Sequence, residues 1–121
     1  MIYKVKKKIP GLYGYMTINK NDGTIILESD SFDSEPNSLD GLIPGNHYFQ
    51  VQIPARLLGP GNYQIYLNFT SNYNIQSFNV DSPGIVYSFL VFDETSQRGN
   101  KRRGFFSTKL KWDNCGEISH P

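Results

Sequence analysis

The chain has 121 residues, eight tyrosines, eight phenylalanines, one cysteine and a formal net charge of +1 at pH 7. Its length fits one domain spanning residues 1–121. The aromatic content and the lack of helical periodicity favour an all-β fold. The single cysteine excludes an internal disulfide. The near-neutral charge argues against general attraction to nucleic acid, and no apolar run approaches the roughly 18 residues that suggest a membrane span, so direct membrane insertion is not expected.

Three strands separated by tight turns are predicted in the first thirty residues. Apolar and polar residues alternate over 2–9 and over 12–19, and a third strand follows over about 24–29. Pro10-Gly11 separates the first two strands, and Asn21-Asp22-Gly23 is a strong hairpin turn because these residues tolerate positive φ. The lysines of the first strand predict a solvated face that discourages edge-to-edge association, with an anion site as the alternative.

A long polar loop is predicted over residues 30–46, followed by a fourth strand over 47–53 that directs Phe49, Val51 and Ile53 inward. The loop contains acidic residues whose oxygens are of the kind that calcium binds. These are Asp30, Asp33, Glu35 and Asp40. Their spacing fits no calcium-binding loop, so no metal site is predicted.

The corner Gly59-Pro60-Gly61 precedes a strand over 63–69 and organises the rest of the chain. A tyrosine two residues after the corner, Tyr63, resembles the tyrosine corner of immunoglobulin-like sandwiches. In that motif the ring packs inward and the hydroxyl holds the preceding turn. The alternative is a long hairpin with a core tyrosine. If the corner carries the chain from one sheet to the other, strand 63–69 lies beside strands 12–19 and 85–93.

The remainder is predicted as a polar loop over 70–84, a strand over 85–93, an exposed loop over 95–104 and a last strand over about 105–112. This makes about seven strands. The alternation places Phe89 and Trp112 in the core with Tyr63. It leaves Leu90 and Phe92 pointing outward, and an exposed apolar pair of this kind usually marks an interface.

Signals for catalysis are missing from the sequence. The chain has no phosphate-binding loop, no nucleophile elbow and no Cys/His metal spacing, and His47 and His120 are isolated. The acidic residues fall largely in one loop, which argues against the paired carboxylates of a glycosidase. We therefore expect neither enzyme activity nor a cofactor.

A candidate binding face is predicted on the outer side of the sheet that contains strands 12–19, 63–69 and 85–93. Aromatic rings stack on the C–H patches of sugars, and amides and hydroxyls pair with sugar hydroxyls. The alternative is that tyrosine and threonine are simply good strand formers on a solvated face. The candidate glycan-binding residues are Tyr13, Tyr15, Thr17, Gln64, Tyr66, Asn68 and Ser88.

Several motifs together resemble a known family. They are Ile53-Pro54 with Leu57-Leu58-x-Pro60-Gly61-x-Tyr63, then Ser88-Phe89-x-Val91, the arginine-bearing loop, Gly104 with Leu110-x-Trp112, and, earlier, Tyr3-x-Val5 and the Asp22-Gly23 hairpin. In these features the chain resembles the C-terminal carbohydrate-binding domain of the ATP-binding subunit of polysaccharide ABC exporters, the Wzt-type subunits of O-antigen export.

The resemblance implies an immunoglobulin-like antiparallel β-sandwich, often a homodimer, that recognises a lipid-linked O-antigen-like glycan before export. It implies the exporter ATPase and transmembrane subunits as partners, and a cytoplasmic location peripheral to the inner membrane.

The family carries an N-terminal ATPase that is missing here, and its domain usually starts one strand earlier. We therefore expect an excised fragment or a shortened module without the family's first strand. Binding residues vary in the family, so none is transferred. The alternative is an immunoglobulin-like protein-interaction module without a glycan ligand.

Overall fold

The computed structural model describes residues 2–72, 78–94 and 96–117, and it confirms the all-β prediction. Six strands in these ranges form two antiparallel sheets in a sandwich-like arrangement. The strands are β1 (Ile2–Val5), β2 (Leu12–Lys20), β3 (Ile25–Asp30), β4 (Gly45–Tyr48), β5 (Gly61–Ser71) and β6 (Phe78–Val91), with short 3-10 helices at Ser31–Asp33 and Gly99–Lys101. Neither described helix has the length or apolarity for a membrane crossing.

The strand order confirms the predicted position of the central strand. β1 pairs with β4 in a two-stranded sheet, and the other strands form a four-stranded sheet in the order β3-β2-β5-β6. The chain therefore leaves one sheet after β4 and enters the other at β5, which contradicts the hairpin alternative. β5 lies between β2 and β6, so these three strands can present one shared face.

The turn between β2 and β3 is the predicted hairpin. The backbone N–H of Gly23 donates to the carbonyl oxygen of Lys20 at 2.9 Å, and Gly23 has a φ of 89°. Asp22 Oδ1 accepts a hydrogen bond from the N–H of Thr24 at 3.0 Å. These bonds close the turn, and the pairing of the two strands then shifts by one residue at a bulge between Ile18 and Asn19.

The corner before β5 is closed by Tyr63, as predicted. Its side chain is fully buried, and its hydroxyl donates to the carbonyl oxygen of Gly59 at 2.6 Å. A Cβ atom at Gly59 would lie 2.3 Å from the carbonyl oxygen of Gly104, a separation that real Cβ contacts do not show. Glycine is therefore required at residue 59 for the C-terminal segment to pass this close.

A charged pair holds the same corner from its other side. Arg56, at a positive φ of 62°, donates to the Asp93 carboxylate at 3.4 Å. The Asp93 side chain is only 5% exposed, and it also accepts a hydrogen bond from Ser96. The corner is thus tied to the segment that follows β6.

The core lies between the inner face of the four-stranded sheet and the corner. Its buried members are Met16, Ile18, Leu58, Tyr63 and Leu67. Phe89 packs against this cluster, and its ring stacks on Tyr63 with 5.6 Å between the ring centroids. Tyr63 was correctly predicted as a core residue, and Phe89 packs against the core from a half-buried position.

Two predicted strands of the first half are shorter or displaced. β1 ends at Val5 and not at residue 9, and β4 covers Gly45–Tyr48 and not 47–53. Tyr48 lies opposite Ile2, so no described strand pairs with residues 49–53. Without that support Val51 is 52% exposed and Ile53 is 36% exposed, and their inward placement was wrong.

The predicted polar loop over 70–84 is partly strand. β6 begins at Phe78, and within it Asn79 pairs with Thr70 and Asp81 with Phe69. Backbone pairing with β5 therefore outweighs the polar composition of this stretch. Residues 73–77 of the predicted loop lie outside the described ranges.

The predicted last strand over 105–112 is wrong. Phe106 forms an isolated bridge with Leu58, and the N–H of Ser107 donates to the carbonyl oxygen of Leu57 at 3.1 Å. No described strand pairs with the residues that follow, although they alternate as a strand would. Trp112 is 91% exposed, so its predicted place in the core was also wrong.

Candidate functional site

The strand register brings the seven candidate residues to one face of the four-stranded sheet. Tyr15 lies opposite Asn68 and Thr17 opposite Tyr66. Gln64 of β5 lies opposite Ser88 of β6. Side chains directly opposite each other in antiparallel strands point to the same side. We call this surface the tyrosine face, formed by Tyr13, Tyr15, Thr17, Gln64, Tyr66, Asn68 and Ser88.

Aromatic rings dominate the tyrosine face. Tyr15 and Tyr66 are half-buried, with 6.3 Å between their ring centroids and an angle of 37° between their planes. Tyr13 adjoins them on β2, and its ring lies 5.0 Å from that of Phe32 in the short helix after β3. Because β2 and β5 are the two central strands of the sheet, the backbone at Tyr15 and at Tyr66 is paired on both sides.

Two candidate residues are not available for direct contact with a ligand. Thr17 is 5% exposed and Asn68 is 1% exposed. Asn68 Nδ2 donates to Asn79 Oδ1 at 3.1 Å, which uses part of its bonding capacity inside the protein. These two side chains support the surface from below, so their prediction as direct ligand contacts was wrong. Tyr13, Tyr15, Gln64 and Tyr66 remain half-buried, and Ser88 is exposed.

Three polar residues on the same face were missed from the sequence. Asn19 lies opposite Gln64, Glu28 opposite Thr17 and Asp30 opposite Tyr15. The Asn-Asp-Gly turn alone would not have found the two carboxylates, because it sets Asn19 opposite Ile25 and a one-residue shift exchanges the faces of a strand. The bulge between Ile18 and Asn19 makes that shift and brings Glu28 and Asp30 to the tyrosine face.

The surroundings of Tyr15 favour its neutral phenol. Burial raises the pKa of Tyr15 above its usual value of 10.0, and the adjacent Tyr66, which also forms a side-chain hydrogen bond with Tyr15, and the charge of Glu28 raise it further. The two phenols therefore pair with each other on this face. Beside them, the amide of Gln64 and the hydroxyl of Ser88 supply donors and acceptors.

Two carboxylates of the acidic loop accept local hydrogen bonds. Asp30 Oδ1 accepts a hydrogen bond from the N–H of Phe32 at 2.9 Å, and Asp33 accepts one from Ser29 Oγ at 2.5 Å. Within the described ranges, no group of three or more His, Cys, Asp or Glu residues is arranged to hold a metal ion.

A second polar concavity lies on the other side of the four-stranded sheet. This cavity has a volume of about 310 Å³, and its walls include Ser29, Ser31, Asp33, Gln50 and Gln52 over an apolar floor that contains Met16. It is shaped by the segment after β4 and the short helix after β3. We call it the serine cavity, and it provides an alternative polar site with hydroxyl, carboxylate and amide groups.

Comparisons with known protein families, with curated proteins and with solved structures find no match to this chain.

Proposed function

We propose that this chain is a non-catalytic glycan-binding module that recognises a lipid-linked, O-antigen-like polysaccharide for export by an ABC transporter. The observation that carries the binding proposal is the Tyr15–Tyr66 pair, whose tilted rings stand on the two central strands beside Gln64 and Ser88. The proposal includes no cofactor and no chemical step, because the face offers contacts for binding without a reacting centre.

The tyrosine face suits a sugar better than a flat apolar ligand. Two tilted rings supply surfaces for the C–H patches of a pyranose, while the amide of Gln64 and the hydroxyl of Ser88 can pair with its hydroxyl groups. Rings held on paired strands lose little conformational entropy on binding. We expect affinities in the millimolar to micromolar range, about −4 to −8 kcal/mol.

The export role rests on the family resemblance of the corner and strand motifs. Under this proposal the partners are the exporter ATPase and its transmembrane subunits, at the cytoplasmic side of the inner membrane. The proposal includes a homodimer. It is supported by Leu90 and Phe92, which are 59% and 56% exposed, and by β6, which is the edge strand of its sheet.

The same exposed residues favour a second candidate function. An immunoglobulin-like module that binds another protein would use large apolar side chains at its surface. β6 carries several of these. This alternative requires a protein partner and no glycan ligand.

A glycan array followed by titration of the best ligand tests the leading proposal. We expect Tyr66→Ala and Gln64→Ala to weaken binding, Tyr66→Ala by about tenfold, because a stacked aromatic contact contributes about 0.5–1.5 kcal/mol beyond its buried area. Thermal stability should remain close to that of the wild type. Tyr87→Ala is the matched control, since Tyr87 lies opposite Ile65 on the other face of the same sheet and is 62% exposed.

The outcomes separate the candidates. Equal affinity of the wild type and both tyrosine-face variants would place the glycan elsewhere, and the Tyr48, Gln50 and Gln52 region with the serine cavity is the first site to examine. A chain that binds no glycan but retains a stable protein partner in a pulldown would support the interaction module.

A further inference from the structure

An apolar cavity with lysines along its wall lies on the inner side of the four-stranded sheet, away from the tyrosine face. Its volume is about 420 Å³, within the range of about 300–1,000 Å³ typical of small-molecule sites. Eight of its lining residues are aliphatic or aromatic, among them Leu12, Leu39 and Phe69. We call it the lysine-lined cavity.

Two residues of the cavity wall, Phe69 and Leu39, lie against the bare backbone of Gly14. A Cβ atom there would lie 3.0 Å from a ring carbon of Phe69 and 3.1 Å from Cδ1 of Leu39. Both residues line the cavity, and because residue 14 has no side chain they can rest directly against β2. The wall is completed by residues such as Phe49 and Val80, which are only half-buried and so leave apolar surface open to the hollow.

Positive charge predominates along the cavity. Lys4, Lys6 and Lys7 line it and are exposed, and Asp81 is the single carboxylate among its lining residues. Neither Lys4, Lys6 nor Lys7 forms a salt bridge among the described residues. Lysine places an apolar stem along an apolar wall and keeps its ammonium group in water. The cavity thus joins apolar walls to a cationic border.

We propose that the lysine-lined cavity binds a single-chain anionic amphiphile, with the hydrocarbon chain against the apolar wall and the anionic head among Lys4, Lys6 and Lys7. A sugar would leave the apolar wall without matching contacts, and a small inorganic anion would leave it unfilled. An apolar chain restores the dispersion contacts that an empty hollow lacks. This site is independent of the glycan proposal, because it lies on the opposite side of the sheet.

Calorimetric titration with a series of straight-chain carboxylates below their micellar concentrations tests the proposal. Affinity should rise by up to about fourfold for each added methylene, the burial of which is worth about 0.8 kcal/mol, and should level off when the chain fills the cavity. A trimethylammonium amphiphile of equal chain length is the charge control. Equal binding of the anionic and cationic amphiphiles, or no binding of either, would overturn the proposal.

Matched lysine variants test where the anionic head lies. The triple variant Lys4→Gln/Lys6→Gln/Lys7→Gln should weaken carboxylate binding by about tenfold, the scale of three exposed ionic contacts. The control Lys101→Gln/Lys109→Gln/Lys111→Gln removes the same charge from exposed lysines that do not line this cavity. Equal losses in the two triple variants would show that net charge, and not this cavity, governs binding.

A cavity-filling variant tests where the chain lies. Val80→Phe should reduce the affinity for long carboxylates, with thermal unfolding recorded to verify that the variant folds. Unchanged affinity in a folded Val80→Phe chain would contradict the assignment.

Two further experiments compare two classes of anionic amphiphile and separate this proposal from the glycan proposal. A fatty acid and a prenyl phosphate share the proposed chemistry, and the tighter binder shows which of the two ligand classes the cavity prefers. Tyr66→Ala should keep amphiphile binding, and the Lys4, Lys6 and Lys7 triple variant should keep glycan binding. Failure of one site therefore leaves the other site testable.

Discussion

The hydroxyl of Tyr63 donates to the carbonyl oxygen of Gly59 at 2.6 Å, across the corner that joins the two sheets. On the other side of the same residue, the N–H of Gly59 donates to the carbonyl oxygen of Phe105 at 2.7 Å. Both backbone polar groups of a buried glycine are thereby satisfied, one by a side chain from β5 and one by the C-terminal segment. This residue links three separate parts of the chain.

Tyr63→Phe should reduce the free energy of unfolding by about 1–3 kcal/mol, because the carbonyl of the buried Gly59 loses the donor of its hydrogen bond. Urea unfolding followed by circular dichroism measures the change. Tyr48→Phe is the control, since Tyr48 is 69% exposed. A Tyr63→Phe variant as stable as the wild type would show that the hydroxyl does not stabilise the corner.

The same substitution should alter the dependence of stability on pH. Burial raises the pKa of Tyr63 above its usual value of 10.0, so the unfolded chain ionises first as the pH increases. The stabilisation is complete below about pH 10 and is lost as the pH rises through the pKa of the folded state. Tyr63→Phe should therefore give a shallower decline in the free energy of unfolding above about pH 10. An unchanged slope would mean that this phenol does not contribute.

Phe89→Ala should destabilise the fold by about 3 kcal/mol, near the lower limit for large aromatic truncations, because Phe89 is only partly buried against the core. Chemical denaturation gives the free-energy difference. Ile85→Ala on the same strand removes a side chain that is 57% exposed, and it should change stability little. Comparable losses from the two substitutions would contradict the inward orientation of Phe89.

The proposed homodimer should depend on Leu90 and Phe92. Both are large, apolar and exposed, and both lie at the C-terminal end of the edge strand β6 or just beyond it. Light scattering at tens of micromolar should report a dimer for the wild type and a monomer for Leu90→Ser/Phe92→Ser. A monomeric wild type would exclude the dimer, while a double variant that remains dimeric would place the contact elsewhere.

The sequence pattern correctly predicted those parts of the fold that are determined by residues close together in the chain. The Asn21-Asp22-Gly23 turn, the alternation around Tyr63 and the corner at Gly59 each follow from residues close in sequence. The face that joins Tyr15 with Tyr66 was also predictable, because it requires only that β5 lie next to β2.

Features that depend on a distant partner were not predictable. The segment around Trp112 alternates like a strand, but the described part of the chain provides no edge with which it pairs. Conversely, the polar stretch near Asp81 became strand because β5 extends far enough to pair with it. The burial of Thr17 and Asn68 likewise depends on neighbours across the sheet, which alternation alone does not reveal.

The exposure of Trp112 determines what the chain's fluorescence reports. It is the only tryptophan, and it stands in water on a segment whose described residues from 108 to 117 are all exposed. Its emission should be red-shifted and accessible to quenchers in the native state, so unfolding of the core changes it little. A molecule that covers this segment would instead move the emission to the blue. The tryptophan is thus an intrinsic optical reporter of docking at the C-terminal segment, and it does not report denaturation.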